Sequence, residues 1–215
     1  MKHLAGPMVA LLVMLWPGAA LAQGWIRFAD EEAFFAVNFP GEPMVEDIAW
    51  LSDDDIDLPA RQYTAARGDS LFKLIVVDYS DARITTMRGS IAHAATQFRQ
   101  RGEVTYDAYA QIDRIEGHQL QIIEPNGRRL FVAIHLHEGR LYTLEASAPA
   151  RAPPPGHFQQ SLEILDDEGN RIRYTADGRR MMRVEDLPPE IADRVLRVED
   201  GFVDPQEFPE LARGG

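Results

Sequence analysis

The chain contains no cysteine among its 215 residues. Disulfide bonds, thiol catalysis, cysteine-ligated zinc and lipid attachment at a cysteine are therefore excluded. Lysine is nearly absent as well, since only Lys2 and Lys73 occur, and the formal net charge is −12. Nucleic acids and anionic membranes select a basic surface, so neither is an expected partner of so acidic a chain.

Apolar runs are short. A membrane-spanning helix takes about 20 apolar residues, and the run nearest the start, from Met8 to Trp16, has nine. Pro17 and Gly18 follow it, and Ala20-Leu21-Ala22 has the small-x-small pattern of a signal peptidase site before Gln23. The sequence predicts a cleaved signal peptide over residues 1–22 and a periplasmic or secreted protein without a stable span. An uncleaved anchor is the alternative.

Catalytic signatures are also missing. The sequence has no G-x-S-x-G elbow, no phosphate-binding loop and no G-x-G-x-x-G, and no spacing pairs two carboxylates as acid and base. No catalytic residue and no cofactor is therefore predicted. The chain is expected to be a binding protein more than an enzyme.

Two apolar segments predict the centre of the fold. Phe35 to Phe39 alternates apolar and small or polar residues and ends at Pro40, which indicates a strand with one buried face. The remaining sheet is expected to assemble beside it. Leu71 to Tyr79 is apolar on both faces, so the sheet that contains it should be covered on both sides.

Other elements follow from periodicity and turn residues. A helix is predicted over Arg83–Arg101 and capped by Gly102. The acidic segment Glu46–Leu58 is expected to be a loop, and Gly156–Leu165 a second helix. The predicted strands are Ala60–Arg67, Val104–Ile112, His118–Glu124, Arg128–His137 and Arg140–Ser147. The last four form an antiparallel meander with turns at Glu116-Gly117, Asn126-Gly127 and Glu138-Gly139.

The chain changes character after Leu165. Arginine-rich segments flank the turn signal Ala176-Asp177-Gly178, which predicts a hairpin. An apolar stripe follows on a short helix and is expected to pack on the protein's own sheet, with a partner surface as the alternative; its members are Leu187, Ile191, Val195 and Val198. The predicted organisation is a domain over 23–165, an appendage over 166–200 and a loose acidic tail over 201–215.

The strand-and-turn from Phe35 to Pro43, preceded by Trp25, resembles the opening of the PsbP-like superfamily. The strand from Phe72 to Tyr79, the helix after it, and the strand Gly139 to Leu144 are similar to its later parts. The superfamily includes the Mog-type proteins and small exported bacterial proteins. The resemblance implies an α+β fold, an antiparallel sheet sandwiched between helices (α/β/α), over about Trp25 to Leu165. It also implies an accessory or assembly role on a larger partner.

The arginines of the predicted C-terminal hairpin are the candidate partner-binding residues. In an acidic protein such a patch is able to meet an acidic partner or an anionic ligand. The alternative is that these arginines offset neighbouring carboxylates such as Asp166, Glu185 and Asp186. The five candidates are Arg171, Arg173, Arg179, Arg180 and Arg183.

Two histidines offer a metal site as the alternative chemistry. His135 and His137 lie two apart on a predicted strand, so their rings share one face. A third ligand from His118 or Glu124 would complete a metal-dependent hydrolase or a metal carrier. The first hypothesis is an exported, non-enzymatic binding or assembly-accessory domain that acts on another envelope protein; the second is this metal protein.

Overall fold

The computed structural model describes residues 24–195, 198 and 201–208. The predicted signal peptide, residues 1–22, lies outside the described residues. Within the described part of the chain, no helix has both the length and the apolar character needed to cross a membrane.

The described residues form twelve strands and three α-helices. The strands are β1 (Ile26–Asp30), β2 (Phe35–Phe39), β3 (Met44–Leu51), β4 (Asp57–Arg67), β5 (Ser70–Asp78), β6 (Glu103–Ile112), β7 (Ile115–Ile123), β8 (Arg129–His137), β9 (Arg140–Ala148), β10 (Glu163–Ile164), β11 (Met182–Arg183) and β12 (Phe202–Val203). The helices are α1 (Ile84–Arg99), α2 (Gly156–Gln159) and α3 (Pro189–Ala192).

Seven antiparallel strands form the main sheet, in the order β3-β4-β5-β9-β8-β7-β6. The predicted meander from β6 to β9 is confirmed. The β5 strand lies inside the sheet, and its side chains alternate between two apolar cores. Phe72 and Leu74 enter one core, while Ile75 and Val77 enter the other. The sheet is therefore covered on both faces, as its doubly apolar strand predicts.

The two covering layers differ in kind. Helix α1 covers one face through Ala94, Ala95 and Phe98. The other face is covered by a three-stranded sheet, β1-β2-β10, and by Phe158 of the one-turn helix α2. The predicted α/β/α sandwich is thus confirmed only in part, because the second layer is mostly sheet and the molecule is dominated by antiparallel strands.

The β2 strand has the predicted bounds but not the predicted place. It lies between β1 and β10 instead of in the main sheet, so the expectation that the whole sheet assembles beside it is wrong. Phe35 and Phe39 are fully buried, and the Phe35 ring meets the Tyr63 ring edge-on at 4.9 Å. Alternation shows that one face is buried, but it does not show against which sheet.

The predicted acidic loop over Glu46–Leu58 is wrong at both ends, because residues 46–51 belong to strand β3 and residues 57–58 to β4. Glu46 pairs with Gln62 and Trp50 with Leu58. The strand lies at the edge of the sheet, and Trp50 is its one buried residue. An edge strand with one buried side chain has little apolar alternation, so its sequence resembles that of a loop.

Two glycines have functions other than those predicted. Helix α1 ends with Gln100 in a right-handed conformation, so Gly102 is not its cap. A Cβ on Gly102 would lie 2.2 Å from the Ile123 carbonyl oxygen. Gly117 lies inside β7 instead of in a turn, and a Cβ there would lie 2.3 Å from the Ile134 carbonyl oxygen. Both glycines permit close backbone approach.

The turn between β6 and β7 is formed by Asp113 and Arg114, whose φ angles are 50° and 70°. Two left-handed residues in succession are typical of a type I′ hairpin turn, where asparagine and glycine are the usual residues. This pair carries no such signal, which is why turn chemistry alone predicts the reversal at Glu116-Gly117 instead.

The C-terminal segments also differ from expectation. The second predicted helix is the single turn α2, followed by strand β10. Residues 201–208 are not loose, because Phe202 and Val203 are buried and β12 pairs with β11; the rest of the predicted tail, 209–215, lies outside the described residues. The apolar stripe does not pack on the main sheet. Leu187 and Ile191 form a separate small core with Val203 and Phe208.

Candidate partner-binding site

The described residues from 166 onward (166–195, 198 and 201–208) are called the C-terminal unit here. The unit contacts the main sheet at the tip of the β6–β7 hairpin. Nε and an Nη of Arg171 donate to the two carboxylate oxygens of Asp113 at 2.7 and 2.9 Å. Nε of Arg173 lies 3.0 Å from the same carboxylate. The Asp113 side chain is only 4% exposed, so two arginines hold one buried carboxylate.

Arg173 joins the hairpin tip to the far end of the unit. Its guanidinium lies 5.6 Å from the centre of the Phe202 ring on β12, a distance at which a cation is attracted by the face of the ring. The backbone strengthens the same contact, since the Tyr174 amide donates to the Asp113 carbonyl at 3.2 Å.

The other arginines pair inside the unit. Arg179 lies 2.7 Å from Asp204 and 3.3 Å from Asp177, so it ties the hairpin turn to the segment after β12. Arg180 pairs with Asp166. These contacts match the alternative stated from the sequence, in which the arginines offset local carboxylates.

Arg183 makes several contacts within the unit. Its Nε and an Nη each lie 2.7 Å from Asp186, and its other Nη donates to Asn170 at 2.7 Å. Glu185 is also within 2.7 Å. The hydrogen bonds to Asp186 raise the pKa of Arg183 above its usual value. Arg183 therefore remains charged and links β11 to Asn170 in the segment before it.

The structure brings two of the predicted arginines, Arg171 and Arg173, to Asp113. Sequence reasoning missed Asp113, Asp204 and Phe202. Asp113 lies 58 positions from Arg171, and no local pattern marks a partner at that separation. The binding role of the five arginines stays a prediction.

Open clefts surround the unit. One of about 450 Å³ lies between the hairpin tip and β12 and is lined by Asp113, Arg114, Tyr174 and Phe202 among others. Another of about 540 Å³ lies beside Arg171 and Arg183. Arg114 makes no side-chain hydrogen bond or ion pair with the described residues, and it is exposed. Both clefts have mixed charge and offer contact area on the C-terminal unit.

The histidines predicted as a metal pair share a face but lack the predicted third ligand. His118 bonds to Asp107 and approaches Arg99 of α1, and Glu124 pairs with Arg101 after the same helix. Both therefore lie on the α1 face, whereas His135 and His137 face the other side. Within the described ranges, no group of three metal-ligating side chains converges.

The two histidines have separate surroundings. Burial lowers the pKa of His135 to about 4, and the backbone beside Glu116 only partly opposes this shift. His135 is 1% exposed. Nε2 of His137 lies 2.9 Å from the Tyr174 hydroxyl, which links β8 to the C-terminal unit. His137 is therefore placed as a contact to this unit.

Comparisons with known proteins add a distant structural likeness. No protein-family model matches the chain, and a search of curated proteins finds no match. The solution structure of cyanobacterial PsbP (CyanoP) from Synechocystis sp. PCC 6803 is similar, with 14% sequence identity and a TM-score of 0.47. The likeness covers 74% of this chain and 100% of that chain. Membership of the PsbP-like superfamily, and kinship with its Mog-type proteins, stay predictions.

Proposed function

We propose that this protein is an exported, non-enzymatic binding or assembly-accessory domain that acts on another envelope protein through its C-terminal unit. The observation that carries the proposal is the position of this unit. It has its own small core of Leu187, Ile191, Val203 and Phe208. The two cores on either side of the main sheet consist mostly of residues that precede position 166.

The attachment of the unit supports the same role. Arg171 and Arg173 fix it to the tip of a long hairpin through Asp113, and the clefts beside this junction remain open. A small unit held by directional ion pairs at the end of a rigid sheet presents its outer surface in a fixed orientation. Preorganisation of this kind lowers the entropic cost of binding a partner.

Mixed charge defines the expected interface. Each candidate arginine already pairs with a carboxylate, so the surface is not a simple basic patch. Arg180 nevertheless keeps 53% of its side chain exposed. An exposed arginine of this kind is able to donate further hydrogen bonds, and exposed carboxylates lie next to it. We therefore expect a polar contact with a specific orientation, and not a contact driven by strong electrostatic attraction.

The test uses a truncation that spares the main core. Ile172 is 3% exposed and packs in the core beneath the small sheet, so the cut falls after Thr175 and removes residues 176–215. A photo-crosslinking residue at position 180 of the full mature chain identifies neighbours in the envelope. The purified neighbour is then titrated with the full chain and with the truncated one.

The expected result is one crosslinked envelope protein whose affinity falls at least tenfold on truncation. Arg180→Glu should weaken binding, whereas Arg67→Glu, at an exposed position on β4, should not. Equal affinity of the full and truncated chains for that protein would refute the role of the unit. Recovery of the chain from the cytoplasm with residues 1–22 attached would refute export.

A further inference from the structure

A groove of about 310 Å³ opens on the main sheet, and the residues that line it all precede the C-terminal unit in the chain. The turn between β1 and β2 forms one side through Ala33, while Val76 and Pro59 form apolar parts of the wall. Arg61, Asp78 and Arg140 supply charge. Its volume is at the lower end of the range for ligand pockets, which suits a small molecule.

Arg140 is held in place without using its hydrogen-bond donors. Its guanidinium lies 4.1 Å from the centre of the Phe34 ring. Among the described residues, no acceptor or carboxylate is within bonding distance of its side chain. An arginine oriented by an aromatic face, with its donors unpaired, is arranged to receive a carboxylate in bidentate geometry.

Phe34 adopts a backbone conformation that large residues rarely take, with φ at 58°. Its carbonyl accepts the Leu165 amide at 2.9 Å, which holds the turn in this shape. A glycine would fit the backbone with less strain. A large aromatic residue therefore stands at an unfavourable backbone position, and its ring lies against the guanidinium of Arg140.

Asp78 provides the opposite charge. It is the register partner of Arg140 on the adjacent strand, and one carboxylate oxygen accepts the Ser80 amide at 2.8 Å. No ion pair joins Asp78 to Arg140 among the described residues. Arg61 differs, because Asp30 and Asp47 occupy its donors at 3.3 and 3.2 Å. Of the charged residues that line the groove, Arg140 and Asp78 thus lie side by side without an ion pair between them in the described part of the chain.

We propose that this groove binds a small zwitterion of the α-amino acid class, with its carboxylate on Arg140 and its ammonium group on Asp78. The ligand side chain would contact Val76 and Pro59. Carboxylates of Glu32 and Asp47 at the rim disfavour a dianion such as phosphate, because like charges repel. The site is separate from the C-terminal unit and goes beyond the partner-binding function.

An NMR titration of the full mature protein tests the proposal. Glycine, L-alanine and L-leucine are added in turn, with acetate and methylamine as probes that carry only one of the two charges. At least one amino acid should give saturable shifts at the backbone amides of Val76, Asp78 and Arg140. Acetate and methylamine at equal concentration should not saturate the site.

Variants separate ligand binding from folding. Arg140→Gln should weaken amino acid binding at least tenfold, and Phe34→Gly should do the same by removing the platform while relieving the backbone. Arg67→Gln, an exposed arginine outside the groove, should bind like the wild type. Circular dichroism confirms that each variant is folded. Absence of saturable shifts, acetate binding as well as an amino acid, or unchanged binding by Arg140→Gln would overturn the proposal.

Discussion

Lys73 and Glu145 face each other across the ladder between β5 and β9, with Nζ 3.7 Å from the carboxylate. The Glu145 side chain is 8% exposed and also lies 2.9 Å from Arg101. Lys73 and Arg101, which come from different parts of the chain, therefore pair with the same buried carboxylate.

Glu145→Gln should destabilise the protein by about 2–3 kcal/mol, because it leaves two partly buried cations without their shared anion. The expected loss is below the usual range for a buried pair because Arg101 keeps Glu124 at 2.7 Å. Lys73→Met should cost less than about 1 kcal/mol, since Lys73 reaches solvent. Urea unfolding of both variants measures the difference, and equal losses would contradict this assignment.

Gly117→Ala should destabilise the protein by about 2–4 kcal/mol. The added methyl group would collide with the Ile134 carbonyl oxygen and with the His135 ring, each 2.3 Å away, and packed interiors have little room to adjust. Gly156→Ala is the matched control, because nothing lies within 4 Å of the position that a Cβ would take there. Thermal unfolding should separate the two variants, and a near-neutral Gly117→Ala would disprove the close contact.

Stability should fall on mild acidification because of His135. Its pKa is lowered from 6.5 to about 4 by burial, so between these values the unfolded chain binds a proton that the folded chain does not. By linkage, the free energy of unfolding decreases as pH falls through this window, by up to about 3 kcal/mol. Stability is retained above pH 6.5.

The measurement compares the wild type with His135→Asn, which keeps a polar side chain that does not titrate. Carboxylate titrations are common to both proteins, so the difference between their unfolding free energies isolates His135. The wild-type value minus the variant value should fall from pH 7 to pH 4.5. A difference independent of pH would show that His135 does not remain neutral in the folded state.

Asp113→Asn should loosen the C-terminal unit without unfolding the sheet. Asparagine tolerates the left-handed conformation of the turn, but it removes the charge that Arg171 and Arg173 share. Amide exchange at Arg183 and Val203 should accelerate at least tenfold, while exchange in β5 and β9 stays unchanged. Asp177→Asn, which weakens the 3.3 Å contact to Arg179, is the control. Equal exchange in both variants would argue against Asp113 as the anchor.

The sequence predicts what periodicity and turn chemistry record. The two-sided burial of β5 is predictable because apolar residues occupy both of its faces. The Glu138-Gly139 and Asn126-Gly127 turns have the residues that are usual for such turns. β3 gives no signal because it is an edge strand with one buried side chain. The β6–β7 turn gives none because Asp113 and Arg114 replace the expected glycine.

Only the part of the candidate site that lies within one short segment was predictable from the sequence. Arginines spaced two apart indicate a shared face, and Arg171 and Arg173 do share one. Their partner Asp113 is set by how the sheet brings distant segments together, which no local pattern encodes. The groove at Arg140 was not predictable from the sequence for the same reason. Phe34 and Arg140 come together only because two different sheets pack against each other.

The main sheet consists of two meanders that meet at a single ladder, in which Asp78 of β5 pairs with Arg140 of β9 and Leu71 with Ser147. Every other neighbour in this sheet is also adjacent in the chain, so within the sheet this pairing demands the longest loop closure and should slow its assembly. During synthesis, β5 leaves the ribosome long before β9 exists. The nascent chain therefore carries an apolar strand with one open edge, which makes chaperone protection most valuable at that stage.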